Sequence, residues 1–327
     1  MADVGAVIVT HNSAEVIGAC LNSCRAAGLR RIVVVDNAST DGTGDAARES
    51  EGVLLAENAE NRGFAAGVNQ GARLLESGTL LILNPDARLL TGLGPLEDAA
   101  EKFGAACGLL VDDSGRPQRG FTHRSLPSPG ALAAEILGIN RIWPRNPVNR
   151  RYRCLDERLD TARDVEQPAG AFLAVRRDVW ERLGGFDERF HPVWFEDVDF
   201  CRRLALAGYR IRYVPEVKAA HLGGHSVRRI PGEHKSAYWY GSLLTYAAKH
   251  FHHVWLRLLG GAVLLSAFPR MLAGIPRDGW RASIAGGAAA VRVAGRFVVL
   301  GVSASRGDAP SAEPTPRLLK QSSSTGS

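Results

Sequence analysis

Two adjacent carboxylates, Glu196 and Asp197, with Asp199 just beyond, open a stretch in which Phe200, Leu204 and Ala207 recur at helical spacing. Acids at a helix start fit the positive end of the helix dipole for structural reasons alone. The same field holds a carboxylate ionised, and an ionised carboxylate can take the proton from an attacking hydroxyl. Glu196 and Asp197 are thus two candidate bases within one turn. Other polar residues close short apolar runs: Thr10, His11 and Asn12, then Asp36 and Asn37, then Asn84 and Asp86. Asp36 can accept the imide N–H of a uracil or thymine ring, or it can simply begin the turn Asp36-Asn37-Ala38-Ser39-Thr40-Asp41-Gly42. Arg62-Gly63 opens a helix whose first N–H groups suit a phosphate, with Gly63 and Gly67 allowing close approach. Those glycines serve helix-on-sheet packing equally well.

The elements that must position these residues alternate. Gly5–Thr10 and Ile32–Asp36 are runs of the kind buried parallel strands show, and between them Ser13 can cap a helix carrying Val16, Ile17, Cys20, Leu21 and Cys24 on one face. Further strands are expected at Val53–Ala56, Leu80–Leu83, Gly170–Val175 and Tyr209–Val214, with helices from about Gly63, over Asp178–Leu183 and over Glu196–Ala207. Cys107–Val111 and the segment from Gln118 read as a hairpin, and residues 123–165 as a long connection or lid. Strand–helix alternation predicts an α/β fold with a mostly parallel, Rossmann-like sheet flanked by helices. Ligands then sit beyond the carboxyl ends of the strands, where all three polar clusters fall. A dinucleotide fold would need Gly-x-Gly-x-x-Gly after the first strand, and no glycine follows that strand before Gly18.

The full set of motifs resembles the family 2, GT-A-type glycosyltransferases, most of all bacterial rhamnosyltransferase-like enzymes. It comprises Val7 to Ser13, Val34 to Thr43, Asn61 to Asn69, Leu83-Asn84-Pro85-Asp86, Gly184-Gly185-Phe186-Asp187, Trp194 to Asp199 and His221 to Ser226, in that order over roughly residues 5–230. The resemblance implies a GT-A fold, an inverting transfer from a nucleotide-diphosphate sugar, with dTDP-rhamnose as one candidate, and a lipid-linked or polysaccharide acceptor. It makes Asp197 the base, with Glu196 contacting donor or acceptor. Thr10, Asn12, Asp36, Asn37, Arg62, Gly63, Asn69, Asn84 and Asp86 become the donor-binding residues. Asn84-Pro85-Asp86 stands where the family has Asp-x-Asp, so one carboxylate is replaced by an amide and Asp86 is the remaining acid. Asp86 and His221 are the expected ligands of Mg²⁺ or Mn²⁺, although a lone histidine is more often structural. Trp194 and Phe195 either face a sugar ring or pack in the core.

Composition sets the remaining bounds. The 327 residues, 45% hydrophobic and 23% charged, suit one large domain, expected over 1–230, with an appendage. Five scattered cysteines fit a reducing compartment; Cys20 and Cys24 read as core residues rather than a metal clip. The net charge of +6 is uneven, with 14 Lys/Arg against 4 Asp/Glu over 218–327. A basic, apolar helical extension is expected over 231–303 and a disordered tail over 304–327. Val254–Ala267 reads as too short and interrupted to span a bilayer. With its arginines the extension suits peripheral contact with an anionic membrane, or a helical packing or oligomerisation element. A cytoplasmic location is the expectation, since no leader pattern is read at the start of the sequence. Interleaved aromatics for base stacking are missing, which argues against nucleic acid. The Gln-x-x-Arg-Trp motif of processive synthases is missing too. A non-catalytic nucleotide-sugar-binding protein is the alternative that Asn84 leaves open.

Overall fold

The computed structural model describes residues 3–223, 230–299 and 317–319. Its first half is a strand–helix alternation: β1 (Val4–Thr10), α1 (Ala14–Ala26), β2 (Ile32–Asn37), α2 (Thr43–Arg48), β3 (Val53–Asn58), α3 (Phe64–Leu74) and β4 (Thr79–Leu83). β1, β2 and β4 are buried along their whole length, which explains their unbroken apolar runs. α1 buries Ile17, Cys20, Leu21 and Cys24, as its spacing predicts. Ser13 stands at its N-cap, but its side chain makes no capping bond; Asp41 Oδ2 accepts the Ala14 N–H instead.

The chain continues through β5 (Ala87–Leu89), α4 (Gly94–Phe103), β6 (Gly104–Val111), β7 (His123–Arg124), α5 (Pro129–Ile136), α6 (Ile139–Ile142), α7 (Pro147–Tyr152), β8 (Arg163–Val165), β9 (Gln167–Pro168), β10 (Phe172–Arg176), α8 (Arg177–Leu183), α9 (Glu196–Leu206) and β11 (Arg210–His221). The main sheet runs β3-β2-β1-β4-β10-β6-β11-β5. β3, β2, β1 and β4 are parallel, as are β6 and β11, whereas β10 lies antiparallel between β4 and β6. The fold is therefore α/β, as the GT-A resemblance implies, with a mostly parallel sheet in which β10 and the edge strands β5 and β8 run against their neighbours. Residues 123–165 are not a featureless connection: they carry α5, α6 and α7, too short for a helical period to emerge.

Beyond the sheet come α10 (Gly232–His250), α11 (His253–Asp278) and α12 (Trp280–Val299). Tyr240, Leu243, Tyr246 and Ala247 of α10 share a core with Leu132 of α5 and with Phe190, Phe195 and Val198 next to the acidic helix start. The extension is thus one wall of the catalytic half. The expectation that this region is too short to span is corrected. His253–Pro276 is a 24-residue helical stretch, apolar and long enough by composition to cross a bilayer, a third of it buried. Most of the expected tail lies outside the described residues, but Arg317–Leu319 (β12) pairs antiparallel with β3.

Candidate active site

Thr10 and Asp36 stand opposite each other at the carboxyl ends of β1 and β2. Thr10 Oγ1 donates to Asp36 Oδ1 at 2.7 Å, and Ser39 donates its N–H to Oδ2 at 3.0 Å and its hydroxyl to Oδ1. Asn12 Oδ1 accepts the Thr40 N–H at 2.8 Å. Asn37 Nδ2 donates to the Gly63 carbonyl at 3.0 Å, while its Oδ1 accepts from Asn58. These four residues form a braced ledge, so the turn role of Asp36 is realised whatever else it binds.

The start of α3 is more committed than an open phosphate site would be. Phe64 donates its N–H to the Pro192 carbonyl at 2.8 Å, and a Cβ on Gly63 would lie 2.8 Å from His191 Nδ1. With φ of +85°, Gly63 is there because that approach excludes a side chain. A Cβ on Gly67 would strike Val9 at 2.7 Å, so packing on β1 decides that glycine. Asn69 is held by the loop after α8. Its Nδ2 donates to the Phe186 carbonyl and its Oδ1 accepts the Phe186 N–H, clamping the loop after α8. That clamp gives Asn69 a structural role beside the expected donor contact. Arg62 is half-buried just before the helix.

Next to the ledge opens a cavity of about 460 Å³, to which Asn84, Asp86, Glu196, Asp197 and His221 all contribute. Thr10, Asn12, Asp36, Asn37, Arg62 and Gly63 are not among its lining residues. Asp86 follows β4, and His221 ends β11; pairing of β11 with β5 carries the histidine to it. His221 Nε2 lies 3.3 Å from Asp86 Oδ1 and 3.4 Å from Asn84 Nδ2, all three largely buried or cavity-facing. Cis ligands about 2.1 Å from a Mg²⁺-like ion sit about 3 Å apart, so this carboxylate and imidazole fit such a cation with nearly no movement. The loop expected after His221 lies mostly outside the described residues, from Gly224 to Arg229.

Opposite, Trp194 and Phe195 both hold positive φ, +80° and +70°, immediately before α9. Left-handed backbone at bulky residues costs about 1–3 kcal/mol each, and such strain clusters at functional sites. It delivers Glu196 and Asp197 to the cavity. Asp197 Oδ2 accepts the Gly170 N–H at 2.9 Å and Oδ1 accepts the Val198 N–H at 2.8 Å. Burial nevertheless lifts the Asp197 carboxyl above its ordinary range, against those bonds and the charge of Arg124. Burial and the neighbouring Asp197 push Glu196 well up, and its Oε2 has no protein partner among the described residues. A buried polar atom without such a partner leaves room for a ligand group to bond it. Trp194 lines the cavity, while Phe195 both lines it and packs on Tyr246.

The third acid of the motif does other work. Asp199, fully buried, accepts from Arg203, His250 and Lys249, each at 2.7 Å, and Lys249 Nζ also reaches Asp187 Oδ2 at 2.7 Å. Lys249 of α10 therefore ties the Gly-Gly-Phe-Asp motif to the acidic helix start. No spacing rule links residue 249 to either. Cavity residues Arg124, Glu135, Tyr152, Arg153 and Trp239 were equally hidden, since they come from the two-residue strand β7, from α5, from the end of α7 and from α10. A separate cluster of His123, Cys154 and Glu157 brings three ligand atoms within 4.8 Å, outside the cavity lining. Glu157 there is paired with Arg163 at 3.2 Å. Arg163 and Arg119 also add to burial in lowering the His123 pKa, a field that opposes a cation.

The sequence profile described as Glycosyl transferase family 2 matches residues 6–179, and that of Glycosyl transferase family group 2 matches 160–294. An N-acetylglucosaminyl-diphospho-decaprenol L-rhamnosyltransferase of Mycobacterium tuberculosis is 34% identical over 238 residues, covering 67% of this chain and 75% of that protein. Rhamnosyltransferase WbbL of Escherichia coli K12 is 31% identical over 49% of this chain and 58% of its own length. In fold, the chain is similar to a mannosyltransferase from Pyrobaculum calidifontis in complex with GDP-Man and Mn²⁺, with a TM-score of 0.50 and 18% identity over 91% of this chain and 87% of that one. It is also similar to GalNAc-T7 with UDP, GalNAc and Mn²⁺, with a TM-score of 0.51 and 14% identity over 76% of this chain and about half (51%) of that one.

Proposed function

The chain belongs to glycosyl transferase family 2, and we propose that it moves a sugar, with inversion, from a nucleotide-diphosphate donor to a hydroxyl of a lipid-linked or polysaccharide acceptor. The observation behind this reading is that one cavity gathers Asn84 and Asp86, His221, and Glu196 and Asp197 from three distant parts of the chain. Asp86 and His221 would hold Mg²⁺ or Mn²⁺, with Asn84 beside them, and the cation would neutralise charge developing on the diphosphate as the glycosidic bond breaks. Thr10, Asn12, Asp36, Asn37 and the backbone around Arg62 and Gly63 form the ledge for the nucleoside. Asp197 takes the acceptor proton, and its raised pKa makes it a stronger base than a solvated aspartate. Glu196 Oε2 receives a sugar hydroxyl, which supplies its missing partner. The aromatic faces of Trp194 and Trp239 confine the sugar ring.

The rhamnosyltransferase relatives favour dTDP-rhamnose as the first donor to try, and the name of the M. tuberculosis relative favours a polyprenyl-diphosphate acceptor. The surface agrees with a lipid substrate. Val254, Leu258, Leu265, Phe268 and Leu272 form one exposed stripe along α11. Ile142, Trp143 and Trp280 are exposed beside basic residues Arg141 and Arg281. Peripheral contact with an anionic leaflet, apolar face down and arginines at the head groups, follows. The test is a panel of nucleotide sugars scored for binding and for acceptor-dependent release of nucleoside diphosphate, with the product's anomeric configuration read by NMR. Full turnover in excess chelator would remove the cation from this account, and a retained configuration would remove the inverting mechanism.

A further inference from the structure

Gln118 closes the short turn after β6, its N–H bonded to the Leu110 carbonyl and its own carbonyl accepting from Phe121 and Thr122. Its side chain makes two contacts to one residue. Nε2 donates to the His221 backbone carbonyl at 2.6 Å, and Oε1 lies 3.3 Å from His221 Nδ1. The carbonyl can only accept, so the amide NH₂ must be the end that faces it. Oε1 is then left for the ring, and an amide oxygen can only accept, so Nδ1 must carry the proton. The neutral imidazole accordingly keeps its lone pair on Nε2, 3.3 Å from Asp86 Oδ1. Phe121, from the same turn, stacks on the ring at 5.1 Å and 11° and fixes its plane.

We propose that Gln118 is a positioning residue that locks the His221 tautomer in which Nε2 presents a lone pair to the cation at Asp86. This rests on the reading of Asp86 and His221 as cation ligands. Partners of this kind, bonded to the far nitrogen of a liganding histidine, are worth about 10–100-fold in metal affinity. The experiment measures Mn²⁺ affinity by electron paramagnetic resonance in the presence of nucleoside diphosphate, for the wild type, Gln118→Met and His221→Ala. It also records ¹H–¹⁵N long-range spectra of the metal-free wild type, under conditions where the ring is neutral. The expected results are an N–H at His221 Nδ1 with a bare Nε2, and a Gln118→Met affinity about tenfold or more below the wild type. A His221→Ala protein that binds Mn²⁺ as the wild type does would overturn the cation reading itself. If His221→Ala is weakened but Gln118→Met is not, the positioning role alone fails. Should Gln118→Met not fold, the spectrum decides: a proton on Nε2 with a bare Nδ1 sinks the proposal.

Discussion

Replacing Asp197 by Asn separates proton transfer from architecture, and the structure sets the size of each effect. Both carboxylate oxygens accept a backbone N–H, from Gly170 and from Val198. An amide has only one acceptor, so whichever way it turns, one N–H faces an NH₂ group. That mismatch costs about 1–3 kcal/mol of folding free energy. Turnover should fall much further, by about 10²–10⁴, because a general base contributes on that order. Donor affinity should barely change, since the base acts on the chemical step. Initial rates, calorimetric donor titration and thermal unfolding read the three quantities separately. The pH profile adds a sign. The base must be ionised, so the rate falls as pH drops through the Asp197 pKa, at a higher pH than the 3.8 of an unperturbed aspartate. The residual rate of Asp197→Asn should lack that limb. Glu196→Gln replaces a carboxyl that burial pushes toward neutrality, so it should hurt binding or orientation at least as much as turnover. A near-native Asp197→Asn beside a dead Glu196→Gln would mean the roles are reversed. If both stay active, the acids at the start of α9 serve only the helix.

Lys249→Met removes the ammonium shared by Asp187 and Asp199 and should destabilise the fold by about 3 kcal/mol, the low end for a broken buried pair, because Asp199 keeps Arg203 and His250; an unchanged urea midpoint would dismiss the clasp. Gly63→Ala places a methyl against His191 and Pro192 in a left-handed backbone, for a loss of about 2 kcal/mol and a weaker donor site; a protein as stable as the wild type would show that the approach is not tight. The chain should float with anionic vesicles at low salt, and Leu265→Glu with Phe268→Glu should abolish flotation; no binding even to the anionic vesicles would count against membrane docking.

Much of the catalytic half was legible because its signals are local. Parallel strands buried on both faces, β1, β2 and β4, write themselves as apolar runs, and the polar residues that end them mark the ligand edge. Asp86, Glu196, Asp197 and His221 were readable as an ordered set, and they do share one cavity. What stayed hidden depends on distance in sequence. β10 looked like any other strand, because direction is set by its neighbours and not by its composition. Gln118 and Lys249 act on residues 103 and 62 positions away, and no local pattern announces them. The clamp that Asn69 makes on Phe186 was hidden for the same reason, since its partner lies far along the chain. The helix of α11 was read short because Arg257, Pro269 and Pro276 interrupt its apolar pattern without ending it.

The left-handed backbone at Trp194 and Phe195 bears on how this sequence can change. Glycine would relieve about 1–3 kcal/mol of strain at either position, but at Phe195 it would also empty a buried aromatic site, at a cost of about 3–5 kcal/mol. Such a variant would melt earlier and hold its two acids less firmly, because the bulky rings that carry the strain also seat the turn, Phe195 against Tyr246. Stability and the seating of the two acids thus select the same bulky residue at 195, strained backbone included. Conversely, a homologue with small residues before its acidic pair must find rigidity elsewhere, or accept a slower transfer.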